Sequence, residues 1–121
     1  MCGIAGFLHR RTFHVETSKA IATEMIEAIK HRGPDALGVW ADDFVALSHA
    51  RLSILDLSKQ GHQPMISHCE NYVLAYNGET YNALSFRNEL IAKGYPIKSK
   101  TDSEVILYLY IEYGIKKTLD L

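Results

Sequence analysis

The chain has 121 residues, 47% of them hydrophobic, with 7 Tyr, 4 Phe and 1 Trp, which is enough apolar material for the core of one ordinary domain. A formal net charge of −1, with 22% charged residues and neither a basic run nor an acidic block, argues against nucleic acid or a membrane surface as partner. No stretch approaches the roughly 18 apolar residues of a membrane span, and Met1 to Arg10 lacks the three-part pattern of a signal peptide, so the expected compartment is the cytoplasm.

The chain opens Met1-Cys2-Gly3-Ile4-Ala5-Gly6. If Met1 is removed, Cys2 becomes the first residue and carries both a thiol nucleophile and, in its own α-amine, a base able to take the thiol proton. The bland alternative is a small apolar residue at the start of a buried strand, since Cys2 to Leu8 is a short apolar run. The following residues, His9 to Val15, are polar and basic and read as a loop.

Glu16 to Lys30 is predicted as an amphipathic helix, with Ile21, Met25 and Ile29 at helical spacing, Ala22 and Ile26 beside them, and Thr17 or Ser18 as cap. It ends before His31-Arg32-Gly33-Pro34-Asp35, where Gly and Pro break the pattern. Gly38 to Ala41 and Phe44 to His49 read as a hairpin joined at Asp42-Asp43. Arg51 then stands in the apolar stretch Ala50 to Leu57, where a cation requires a carboxylate from the protein or from a ligand.

Gly61 to Pro64 is a predicted turn and Asn71 to Tyr76 a strand. Asn77-Gly78-Glu79 is a strong turn signal, yet Asn82 to Lys93 reads as a helix capped by Asn82, with Ala83, Phe86 and Leu90 on one face and Gly94 as stop. The turn therefore leads from a strand toward a helix, a place where backbone N–H groups can hold negative charge. Thr101-Asp102-Ser103-Glu104 fits a capping box that opens a last helix, with Val105, Leu109 and Tyr113 inward until Gly114. Cys2 and Cys69 are expected to stay reduced, and the grouping His62, His68 and Cys69 matches no metal-site spacing.

Together these segments resemble the class II glutamine amidotransferase domain, an N-terminal-nucleophile hydrolase, in its asparagine-synthetase version. The matching pieces are MCGI at Met1 to Ile4, HRGPD at His31 to Asp35, ARLSILDLS from Ala50 to Ser58, GHQPM at Gly61 to Met65, NGETYN at Asn77 to Asn82 and TDSEVIL from Thr101 to Leu107. The related phosphosugar and phosphoribosyl amidotransferases carry His-Thr-Arg followed by Trp or Tyr, whereas here Arg51 is followed by Leu52-Ser53-Ile54.

The resemblance implies an α+β fold, the four-layer α/β/β/α sandwich of N-terminal-nucleophile hydrolases, with residues 1–121 as an amidotransferase domain incomplete at its C-terminal side. It implies that Cys2 attacks the side-chain amide of L-glutamine and that Asn77 and Gly78 stabilise the tetrahedral oxyanion. Arg51 binds the α-carboxylate, Glu79 and Asp102 the α-ammonium, while Leu52, Ser53, Ile54 and Leu55 line the pocket and the His31 to Pro34 loop shapes its wall. Glutamate and ammonia result, by way of a Cys2 thioester. The ammonia passes to a synthetase domain absent from this chain, to which ATP and magnesium belong; no cofactor or metal is expected here. A non-catalytic binding or assembly module with the same fold is the alternative. Missing strands would leave sheet edges open, so homo-oligomerisation or partial disorder is also expected.

Overall fold

The computed structural model describes residues 2–53 and 58–121. They form two compact units, the first from residues 1–54, 62–64 and 75–77, the second from residues 55–61, 65–74 and 78–121. Helices and antiparallel strands occur in both parts of the chain order, an α+β composition as expected.

The first unit is a three-stranded sheet with one helix on it. Strand β1 (Gly3–Leu8) and β2 (Ala36–Ala41) both pair antiparallel with the central β3 (Val45–Arg51). The hairpin joining β2 to β3 is the expected one, and Asp42 makes it: its Oδ1 accepts the N–H groups of Phe44 and Val45 at 2.8 and 2.7 Å. Helix α1 (Val15–Ala28) lies on the face formed by Gly3, Ala46 and Ala50. These residues are small, so the helix backbone comes close, and Ala22 and Ile26 are fully buried against Ala46 and Ala50.

Two details of α1 differ from the sequence expectation. Ser18, Ala22 and Ile26 form its buried stripe while Ile21 is 37% exposed, because a sheet face of small residues accepts the small side of the helix. The cap is His14, without a side-chain bond, in place of Thr17 or Ser18, and Ser18 lies inside the helix.

The second unit holds the short hairpin of β4 (Met65–Ile66) and β5 (Val73–Leu74), then α2 (Ala83–Ala92) and α3 (Asp102–Asp120). The expected strand Asn71 to Tyr76 is thus only two residues long, since β4 offers only two partners. Ala83 and Leu90 of α2 meet Val105, Tyr108 and Leu109 of α3 in one apolar cluster, with Phe86 and Tyr113 packed beside it. Gly94, at φ +93°, ends α2: Gly94 N–H donates to Ile91 and Tyr95 N–H to Leu90, the paired bonds of a glycine stop. Asn82 holds the cap position but its side-chain amide donates to the Leu121 carbonyl instead. The last helix breaks at Gly114, where φ is +74°, so the expected stop is a kink with one more turn and a half beyond it.

Candidate active site

Cys2 stands one step beyond the ladder that begins at Gly3 and Ala50, in line with Arg51 on the neighbouring strand. Its thiol is half-buried and faces the backbone of Leu52, whose N–H donates to Sγ at 3.3 Å and whose carbonyl oxygen lies 3.7 Å away. The sulfur is therefore placed by a peptide group of the segment that follows Arg51. Arg51 itself is 8% exposed at the end of β3, and its carbonyl accepts the Asp35 N–H at 3.0 Å.

The HRGPD loop bonds to both sides of this corner. Arg32 Nε donates to the Cys2 carbonyl at 3.2 Å, and Asp35 Oδ2 accepts the Ser53 N–H at 2.7 Å. Gly33 between them is buried, and a Cβ there would meet the Ala50 carbonyl oxygen at 2.2 Å, so only glycine lets the loop lie against β3. One short loop thus holds the residue at the chain start with one arm and the segment after Arg51 with the other. The sequence signal for this was the motif itself; the partners of Arg32 and Asp35 were not readable from it.

Asn77 is exposed and closes the residues 75–77 of the first unit. Leu52 and Ser53 are half-buried, and Ile54 and Leu55 lie outside the described residues. The first unit therefore brings Cys2, Arg51, Leu52 and Ser53 to one end of the sheet.

Gly78, Glu79 and Asp102 belong to the second unit. There the Thr80 N–H donates to Asp102 Oδ2 at 2.8 Å, which ties the residue after Glu79 to the first turn of α3. The other oxygen, Oδ1, accepts the Ser103 N–H at 2.9 Å, as an acid at a helix N-terminus does. Behind Asp102 the expected capping box is present in altered form. Thr101 Oγ1 accepts the Glu104 N–H at 3.4 Å, but the buried Glu104 carboxylate takes the N–H groups of Lys98 and Ser99 and the Ser99 hydroxyl rather than the Thr101 N–H. Among the described residues no group of three or more His, Cys, Asp or Glu could hold a metal ion, and no helix is long and apolar enough to cross a membrane.

Comparison with known proteins bears on this arrangement. The glutamine amidotransferase domain family matches residues 1–121. Asparagine synthetase B (glutamine-hydrolyzing) of Escherichia coli strain K12 is 42% identical over 114 residues, covering 94% of this chain and 20% of that protein. Asparagine synthetase (glutamine-hydrolyzing) 1 of Bacillus subtilis strain 168 is 37% identical over 114 residues, covering 93% of this chain and 18% of that protein. Amidase chry2 of Gibberella zeae is 35% identical over 125 residues, covering 95% of this chain and 18% of that protein. The chain spans about a fifth of the length of these curated relatives. A family match over every residue, with relatives of this similarity along nearly the whole chain, makes this chain a member of the glutamine amidotransferase domain family.

Proposed function

We propose that this chain is the glutamine-hydrolysing portion of a glutamine-dependent amidotransferase and supplies ammonia to an acceptor-using domain of the asparagine-synthetase kind. The observation that carries the reading is the placement of Cys2 Sγ by the Leu52 N–H at 3.3 Å, in line with buried Arg51, in a chain matched throughout by the amidotransferase family. On this reading the fold is the α/β/β/α sandwich of N-terminal-nucleophile hydrolases.

The steps follow from the groups available. With Met1 removed, the Cys2 α-amine takes the thiol proton, and the thiolate attacks the side-chain carbonyl carbon of glutamine. The oxyanion is held by Asn77 and Gly78; loss of one such donor costs about 100- to 1,000-fold in rate. The C–N bond then breaks, and the ammonium formed on the α-amine returns its proton to the departing ammonia. Water adds to the thioester, releasing glutamate and restoring the thiol. Arg51 takes the substrate α-carboxylate, for which a planar guanidinium fork is suited. Glu79 and Asp102 take its α-ammonium, and Leu52 to Leu55 supply backbone to the pocket.

A diazo-ketone analogue of glutamine tests this reading directly. The expected product, by peptide mass mapping, is one adduct on Cys2 with loss of ammonia release. An adduct on Cys69 with Cys2 untouched overturns the assignment, and a processed protein that neither takes the adduct nor releases ammonia is a binding or assembly module instead.

A further inference from the structure

His49 is fully buried in the middle of β3, opposite Ile4 on one side and Gly38 on the other, and no step above uses it. Its Nε2 lies 3.2 Å from the carbonyl oxygen of Tyr76. A carbonyl only accepts, so Nε2 carries the proton. Nδ1 is buried with no hydrogen-bond partner among the described residues. Burial, opposed by the bond to Tyr76 and aided by His62 and Arg51, holds the imidazole pKa below its ordinary value, which keeps the ring neutral and Nδ1 bare.

The other side of the same residue is held as well. Gln63, 7% exposed, accepts the Tyr76 N–H on Oε1 at 2.6 Å. Gln63 reaches this position because Gly38 has no side chain: a Cβ there would meet the Gln63 carbonyl oxygen at 2.0 Å and His62 Nε2 at 3.2 Å. Both peptide groups of Tyr76 are therefore fixed to the sheet, one by a β3 imidazole and one by the Gln63 amide.

The Tyr76 carbonyl and the Asn77 N–H belong to one planar peptide, so fixing the first fixes the second. We infer that His49 and Gln63 are positioning residues for Asn77: they clamp Tyr76 and so fix the backbone from which the side-chain amide of the exposed Asn77 projects. The inference deepens the reading above, since it rests on Asn77 serving the oxyanion. Neither residue touches substrate. Oxyanion donors act only if they are in place before charge develops, and a misplacement of about 1 Å costs on the order of 100-fold.

The test pairs His49→Leu, which removes the donor, with His49→Gln, whose Nε2 hydrogens fall where the imidazole N–H was. In the intact, processed protein His49→Leu is expected to lower kcat for glutamine hydrolysis by about 10- to 100-fold with KM changed less than about threefold, and His49→Gln to restore kcat to within about threefold. Hydrogen exchange supplies a readout that needs no activity: the Tyr76 amide, which donates to Gln63 Oε1, is expected to exchange at least about tenfold faster in His49→Leu while β1 and β3 amides keep their protection. If β1 and β3 amides also lose protection, Gln63→Met, which removes the Oε1 acceptor of the Tyr76 N–H, takes the place of His49→Leu in both assays. Unchanged Tyr76 exchange overturns the clamp, as does a loss of kcat that His49→Gln does not restore. A wild-type protein without glutaminase activity sinks the functional reading instead, and the exchange result then decides the clamp by itself.

Discussion

The chain has two free thiols in very different settings. Cys69 is exposed in the turn between β4 and β5, and its pKa is pulled below the ordinary thiol value chiefly by the Ser67 hydroxyl, 3.3 Å from the sulfur, and next by the Asn71 backbone. Cys2 is half-buried, with its sulfur facing the Leu52 peptide, its carbonyl held by Arg32 and a buried cation in line with it. Ease of ionisation and fixed placement are thus separate properties of a thiol. The first makes a residue reactive toward any small electrophile, and only the second lets it act on one bond of a bound molecule.

The largest test of that contrast removes each sulfur in turn. On the proposed reading, in which only Cys2 supplies a covalent step, Cys2→Ala is expected to lower ammonia release from glutamine by at least about 1,000-fold, and Cys69→Ala to leave it within about twofold. Equal losses in the two variants break the contrast.

A second test loosens the Cys2 corner without touching the thiol. Gly33→Ala forces a Cβ onto the Ala50 carbonyl, so the loop must shift away from β3. The expected cost is about 2–3 kcal/mol in urea unfolding, with slower alkylation of Cys69 neither expected nor explained by the change. A neutral Gly33→Ala means that the loop finds another path and that Arg32 does not depend on it.

The smallest expected effect concerns Cys69 and pH. A depressed thiol pKa means that thiolate is present at lower pH than for an ordinary cysteine, so iodoacetamide alkylation of Cys69 reaches its half-maximal rate below the free-thiol value of about 8.5. Ser67→Ala removes the first cause and moves that midpoint upward. A midpoint that stays put assigns the shift to the Asn71 backbone.

Motifs made the family legible, and the proposed chemistry rests on the residue types they carry: a thiol, a cation, two acids and a polarising turn. Helix existence was legible too, and so was the stop at Gly94, since positive φ is a local demand, whereas the same demand at Gly114 gave a kink where a stop was expected. The expected apolar side of α1 was right in Ala22 and Ile26 but wrong in its centre, because hydrophobicity points to Ile21, which is exposed, whereas the partner surface of Ala46 and Ala50 accepts the smaller side of the helix. The extent of β5 and the true bonds of Glu104 depend on what stands opposite, which spacing along one chain does not encode. For the same reason His49 and Gln63 gave no signal: each matters through Tyr76, 27 and 13 residues away.

Arg32 reaches across 30 positions to grip the carbonyl of the second residue of the chain. Chain starts are ordinarily the most freely moving part of a protein, and fixing one residue's backbone costs about 1–2 kcal/mol of conformational entropy. A reaction that needs a free α-amine must put its nucleophile where that freedom is greatest. The guanidinium of Arg32 offsets part of this entropy, so that on the proposed reading glutamine meets an already ordered Cys2 and its binding free energy need not be spent on ordering it.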